Sequence, residues 1–326
     1  MPEVRVDPLT GLKAIMAGER AQRPGGGFSV APSAPVDPET DPFLEGHEDR
    51  TPPELWALRP DGGAPDGPGW LVRAVPNLYP ALVAEPRDPE PDAHPDLFTA
   101  QPASGAHEVI VNAPEPVSTL CQLSPEQLAT ALDGWRERMR AHAGAHCLHL
   151  IVNERREAGA SLPHTHAQLY AFDFVPAGVA RERERFAAYA TRTMGGNLLG
   201  DLVQEEVRRR ERVVAIDDEA VLLAPYASRL PFQLMVAPRR PRARFEDDGP
   251  LGAALVHQAL VLLRRRLGAA PPLNLWVRTA PRGAEHFCWR IDIVPRLTHL
   301  AGLELGTGVH LCVVAPEQAA VELKDA

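Results

Sequence analysis

Two stretches of this chain share one order: an amphipathic helix, then two short apolar strands, the second closing on Val-Pro. In the first stretch Ser124 is a good N-cap, Pro125 sits at the first helical position and Gln127 completes a capping box. Leu128, Leu132, Trp135 and Met139 then recur at helical spacing. Strands are expected over Cys147–Val152 and His164–Phe174, just before Val175-Pro176. In the second stretch a helix over Leu251–Leu267 places Leu255, Ala259 and Leu263 on one side. Strands over Leu273–Val277 and Trp289–Val294 follow, the last running into Pro295. Each helix is also preceded by two strand-like runs, Trp70–Val75 and Glu108–Asn112 before the first, Val221–Leu223 and Phe232–Val236 before the second. This recurrence implies an internal duplication and an α+β fold, with antiparallel sheets and helices packed on them. The halves are expected at residues 1–176 and 177–326, the second opening on a charged helical connector, Ala180–Arg212, broken at Gly195-Gly196. Pro24–Asp66, rich in Pro, Gly and acids, reads as an irregular segment wrapping the core.

The 326 residues suffice for a large core, and 44% apolar with 24% charged residues is ordinary for a globular chain. A net charge of −9 opposes non-specific attachment to nucleic acid or an anionic membrane. A small anionic substrate then requires a local cluster of arginines. Met1–Arg23 shows no continuous apolar segment of the signal-peptide kind, and no stretch approaches the ~20 apolar residues of a transmembrane helix. The four cysteines, Cys121, Cys147, Cys288 and Cys312, form no CxxC pair and read as free thiols of a cytoplasmic protein.

The chemistry concentrates between Asn153 and Gln168. Alternation along a strand puts His164, His166 and Gln168 on one face, where three polar groups make a poor core. Just before them Gly159 and Ser161 form a small-residue turn whose backbone N–H groups can approach a phosphate. An imidazole beside a phosphate cradle is an arrangement for covalent nucleotidyl transfer. The plainer reading of HxH is a metal-binding or half-buried pair. The in-phase Gln168 and the Gly–Ser turn weigh against it, and a metal needs two further ligands that the sequence does not clearly offer.

N-x5-G-x-S-x2-H-x-H-x-Q, read here from Asn153 to Gln168, resembles the active-site signature of the galactose-1-phosphate uridylyltransferase family, a branch of the histidine-triad superfamily. Further blocks resemble that family in the same order. They are Arg5, Asp7, Pro8, Thr10 and Gly11, then Arg20, Arg23 and Pro24, then Val75–Ala81, Gly105–Val109 and Gly302–Gly308. The resemblance implies that His166 attacks the α-phosphate of a nucleotide sugar, giving a nucleotidyl-histidine and releasing a sugar 1-phosphate. It implies phosphate contacts from Gln168, Ser161, Arg20 and Arg23, nucleoside contacts from Asn77 and Asn153, and a sugar contact from Glu304 across a homodimer interface. Taken alone, Arg20 and Arg23 read as surface charges, Asn77 as a turn residue and Glu304 as solvent-facing. By default the resemblance implies transfer of UMP from UDP-glucose to galactose 1-phosphate, within galactose metabolism. An adenylyl version acting on an ADP-sugar or a dinucleoside polyphosphate is the alternative. A hydrogen bond from one ring nitrogen of His166 to a carbonyl, that of His164 being the candidate, would leave the other nitrogen free to attack.

Several positions depart from the family pattern. Many members hold structural zinc with a CxxC pair, a later histidine and the first histidine of HxH. Here the block reads Asp41-Pro42-Phe43-Leu44, Pro116 takes the later histidine's place, and only His164 remains. A second metal site in some members uses a glutamate and three histidines, for which this chain has Glu182, Arg278, Arg290 and Asp292. Arginine cannot ligate a cation, so the expectation is no bound metal and no cofactor. Arg155 stands where the family usually has glycine, and the sugar side continues Val309-His310-Leu311-Cys312, without the usual polar residues. A nucleotide-binding relative without turnover is the competing reading, opposed by the intact His164, His166, Gln168 and Ser161.

Overall fold

The computed structural model describes residues 1–18, 28–90, 94 and 97–326. In chain order its elements begin β1 (Glu3–Val6), β2 (Lys13–Met16), β3 (Trp56–Leu58), β4 (Val72–Pro76), β5 (Gly105–Val111), α1 (Pro125–Ala141), β6 (Cys147–Glu154) and β7 (His166–Phe172). They continue α2 (Ala177–Arg192), α3 (Leu198–Arg209), β8 (Val213–Ile216), β9 (Ala220–Leu223), β10 (Leu234–Pro238), α4 (Ala253–Leu267), β11 (Leu273–Arg278) and β12 (Arg290–Pro295). The chain closes with α5 (Gly302–Thr307), β13 (His310–Cys312) and α6 (Pro316–Lys324).

The fold is α+β. Among the described residues ten strands form one sheet in the order β3-β4-β5-β7-β6-β11-β12-β10-β9-β8. Neighbours in it are antiparallel throughout. Outward from the β6–β11 seam, the five strands on one side mirror the order of the five on the other. The duplicated pattern in the sequence therefore yields one continuous sheet, because β6 and β11 join edge to edge from Leu273↔Glu154 to Arg278↔His149. Helices α1 and α4 pack side by side on one face. Leu132 and Trp135 of α1 and Leu255 and Leu263 of α4 share a fully buried cluster with Val152, Leu169, Leu275 and Ile293. On the opposite face, α2 and α3 cover the β9–β10 side through Phe186, Leu199 and Val203. Phe43, Trp70 and Val111 close a smaller cluster over the β4–β5 side.

Local chemistry places the helix starts. Ser124 Oγ accepts the Gln127 N–H at 3.1 Å. The expected capping box is not closed, however, because the Gln127 amide turns inward and donates to the carbonyls of Leu71 and Asn112 at 2.8 Å each. The helix is tied instead to the sheet. Trp135 Nε1 donates to Asn112 Oδ1 at 2.8 Å, and Asn112 Nδ2 donates to Thr165 Oγ1 at 3.2 Å. This chain of bonds runs from the middle of α1 to the residue between His164 and His166. Gly105, at φ +139°, brings β5 against β7 so closely that a Cβ there would sit 2.0 Å from the Ala171 carbonyl oxygen.

Other expectations shift. β7 begins at His166, so His164 and Thr165 precede the ladder. β10 begins at Leu234, since Phe232 at φ +58° cannot continue a strand. The Gly302–Gly308 block forms the helix α5 and its C-cap. β1, β2 and β13 make a separate three-stranded sheet, and β3 and β8 close the rims of the large one. At three or four residues each, these strands are too short to show alternation. No helix among the described residues is long and apolar enough to cross a membrane. All four cysteines are free and buried.

Glu154 gives the fold a pH signature. It is buried on the core side beside Thr165, accepts the Leu120 N–H, and burial pushes its carboxyl up to about 8. Raised above its unfolded value, this pKa contributes stability that is full below about 4.5 and lost as pH rises through about 8. Glu154→Gln is expected to remove that loss, so urea midpoints of the two proteins should diverge in the variant's favour from pH 6 to 9. Parallel curves would refute the assignment.

Candidate active site

Strand β7 lies between β5 and β6, with His166 opposite Val111 and Gln168 opposite Val109 and Ile151. Ala167, Leu169 and Ala171 point into the helix-covered core, so His166, Gln168 and Tyr170 take the other face. His166 is only 5% exposed but still lines a cleft of about 380 Å³. Its Nδ1 lies 2.7 Å from the carbonyl oxygen of His164. A carbonyl can only accept, so Nδ1 carries the hydrogen and Nε2 keeps its lone pair. Burial pushes the imidazole pKa below the ordinary histidine value, which holds the ring neutral. The Phe43 ring meets it edge-on at 5.2 Å.

His164 is fixed by both nitrogens. Nδ1 is 2.6 Å from Asp41 Oδ2 and Nε2 is 2.9 Å from the Ala113 carbonyl. Asp41 is in turn held by its own turn, accepting the Phe43 N–H at 3.0 Å. Where the resemblance implies zinc thiolates, this chain has a carboxylate that meets the histidine directly. Neither Leu44 nor Pro116 offers a donor side chain. The residues present do not fit a zinc ion, since His164 has no free nitrogen for one. At the second metal position that the resemblance implies, the side chains likewise pair with one another. Glu182 meets Arg290 at 3.0 Å and Arg278 at 3.3 Å, and Arg290 also meets Asp292 at 2.9 Å. The guanidinium groups supply the positive charge that a metal would.

The cleft brings together His166, Gln168, Ser161 and Asn77, with Phe43 and Tyr79 on its walls. A hydrogen-bond chain links two of these residues through one that the sequence reading left without a role. Ala81 N–H donates to His107 Nδ1 at 3.2 Å, so His107 Nε2 donates to Gln168 Oε1 at 3.0 Å. Asn77 Nδ2 lies 3.2 Å from the same His107 nitrogen. Tyr170 stacks on His107 at 4.1 Å and donates its hydroxyl to Gln168 Oε1 at 3.2 Å. Gln168 Oε1 is thereby occupied, which directs its NH₂ group toward any ligand. His107 sits within the Gly105–Val109 block, and its alternation with Val109 was the available signal.

A second cleft of about 430 Å³ adjoins the first through Ser161 and Leu162 and is lined by Ser33, Ser118, Arg155 and Arg156. Gly159 turns the intervening loop at φ +92°. Arg155 itself adopts φ +69°, the conformation that suits glycine. Its guanidinium donates to the carbonyls of Ala31 and Ala270 at 2.9 and 3.3 Å, pinning both segments beside the cleft. Asn153 continues the β6 register to a place beside His166, but its Oδ1 accepts from Asn274 at 2.7 Å and it lies outside the cleft lining. Glu304 is also apart from the cleft, accepting the Ala301 N–H at the start of exposed α5. Arg20 and Arg23 lie outside the described residues.

A model of the galactose-1-phosphate uridyl transferase N-terminal domain matches residues 1–176. The chain belongs to the galactose-1-phosphate uridylyltransferase family. A domain of unknown function, DUF4921, matches residues 125–325. ADP-glucose phosphorylase of Arabidopsis thaliana is 27% identical over 338 residues, covering 99% of this chain and 93% of its own. A galactose-1-phosphate uridylyltransferase of Cryptococcus neoformans is 26% identical, covering 98% and 89%. Among solved structures, the Arabidopsis ADP-glucose phosphorylase with bound ADP-glucose superposes with a TM-score of 0.82 at 25% identity, covering 100% of this chain and 99% of that one. A uridylyltransferase structure superposes at 0.75 with 24% identity, covering 100% and 98%, and shows the shared fold. Family membership makes this α+β chain a nucleotidyltransferase, consistent with the histidine-triad superfamily.

Proposed function

We propose that the chain transfers a nucleoside monophosphate from a nucleotide sugar to a phosphate acceptor through a covalent bond to His166. The observation that carries this reading is the Nδ1 bond to the His164 carbonyl, which presents Nε2 as an unprotonated nucleophile at the cleft. Nε2 attacks the α-phosphorus, the bond to the bridging oxygen breaks, and the sugar 1-phosphate leaves. An acceptor phosphate oxygen then attacks the same phosphorus, the P–N bond breaks, and the imidazole is restored. The adduct places positive charge on the ring, and the His164 carbonyl faces that charge through the Nδ1 hydrogen. Gln168 and Ser161 supply donors for the non-bridging oxygens.

For the donor we favour ADP-glucose with inorganic phosphate as acceptor. An ADP-glucose phosphorylase is similar to the chain over nearly its whole length, and the sugar-side residues 309–312 lack the polar groups that usually follow in the family. UDP-glucose with galactose 1-phosphate is the second pair. Incubation with either labelled nucleotide sugar is expected to give an acid-labile gain of one nucleoside monophosphate, absent from His166→Ala. The nucleotide that labels names the base. No label from either would return the chain to a binding role.

The depressed His166 pKa fixes the acid side of the profile. Since the protonated ring cannot attack, the acid limb of kcat/KM is expected below the ordinary histidine value of 6.5. An acid limb above that value would contradict a buried neutral nucleophile. The same reading includes a chain that works without metal, so exhaustive chelation should leave both melting temperature and labelling unchanged. It also includes a homodimer, a cytoplasmic setting and two halves meeting near residue 176. Sedimentation at micromolar concentration tests the dimer, and Glu304→Ala tests the sugar contact as a raised KM for the nucleotide sugar.

A further inference from the structure

His166 opens β7, and in the mirrored half Arg290 opens β12. At that end of the strands lies another cleft, of about 240 Å³. Four guanidinium groups line it, from Arg181, Arg229, Arg278 and Arg290, with Glu182 as its one carboxylate among the described residues. Glu182 and Asp292 are spent on Arg278 and Arg290. Arg229 stacks over Trp276 at 5.4 Å, and neither it nor Arg181 makes an ion pair among the described residues. Asp7, on an adjoining cavity, is turned onto its own loop and accepts from Leu9 N–H and the Thr10 hydroxyl. Even with Asp7 counted, positive charge is left over.

Two further features point the same way. Helix α2 starts at this cleft, with Ala177 and Gly178 of its first turn, and Arg181 one turn on, lining the wall. Its N-cap, Pro176, brings no side-chain acceptor, and the Pro176 carbonyl takes the N–H groups of Val179 and Ala180. Those of Ala177 and Gly178 have no backbone acceptor among the described residues, at the positive end of a 16-residue helix. The buried Nε1 of Trp276, from a wall residue, is a donor without a hydrogen-bond partner.

We propose that this cleft is a second anion site, binding phosphate either free or as the phosphate of a small phosphorylated sugar. The ligand's oxygens would meet the free guanidinium groups of Arg229 and Arg181 and the α2 N-terminus, with Trp276 as a flat apolar wall beside them. The proposal holds whichever nucleotide His166 takes, because none of the residues lining this cleft lines the one at His166.

Calorimetric titration of the whole protein with inorganic phosphate, and separately with glucose 1-phosphate, tests it. One binding event is expected to weaken roughly tenfold or more in Arg229→Ala and in Arg181→Ala, and to persist in Gln168→Ala. Arg181 is exposed, so its variant remains a test if Arg229→Ala fails to fold. Arg181→Lys should recover part of the loss. Equal affinity for the two ligands assigns recognition to the phosphate group, and tighter binding of the sugar phosphate adds the Trp276 wall. Three results would each overturn the proposal. These are no binding of either ligand at millimolar concentration, affinity unchanged in both arginine variants, or binding lost only in Gln168→Ala.

Discussion

Replacing His166 with alanine is expected to cut nucleotidyl transfer by roughly 10⁴-fold or more while leaving the chain folded. In the proposed reaction the ring's Nε2 is the nucleophile, and its bond to phosphorus divides the transfer into two displacements. Without it an acceptor must reach the nucleotide directly, from the wrong side of a cleft shaped for the imidazole. Gln168→Ala should be milder, about 10²- to 10³-fold, because it removes one donor to the phosphate oxygens and keeps the nucleophile. Single-turnover release of sugar 1-phosphate reads both effects. A His166→Ala enzyme within tenfold of the parent would end the covalent proposal.

The second large effect is expected at Asp41. Asp41→Ala should cost about 1–3 kcal/mol of folding stability, the range found when a buried hydrogen-bonding group loses its partner. His164 is 1% exposed and Asp41 2%, so the ring left behind would have no water to turn to. Asp41→Asn keeps the shape and one hydrogen bond, and should cost distinctly less. Urea unfolding at neutral pH measures the difference. Equal and small losses in the two variants would mean that the pair contributes nothing. The alanine variant should also weaken catalysis, since the carbonyl that orients His166 belongs to His164, and Phe43 touches both rings.

What the sequence could reveal depended on range. The helix beginning at Ser124-Pro125 was legible because its N-cap and its apolar spacing are local. The face shared by His166 and Gln168 was legible because a strand's alternation needs only neighbours. The partner of His164 was not. It lies 123 residues away, in a segment that reads as irregular, and although the resemblance puts Asp41 where a zinc thiolate would stand, nothing local shows that its carboxylate bonds to the ring directly. His107 escaped for a related reason: its role is set by Ala81, Gln168 and Tyr170, which meet it only once β5 and β7 pair. The two halves were visible as a recurrence, but their fusion into one sheet was not. A β6–β11 junction depends on edge geometry that strand patterns do not encode.

That junction has a bearing on how such a molecule could arise and come apart. A polypeptide stopping near residue 176 would expose the β6 margin as a row of unsatisfied backbone donors and acceptors. Another identical fragment could cover it, giving a symmetric pair with a histidine nucleophile on each side. Tandem joining of two such fragments would free one of the two to lose its chemistry while keeping its architecture. Arg290 stands at the start of its strand as His166 does at its own, and has a guanidinium where a nucleophile would otherwise stand.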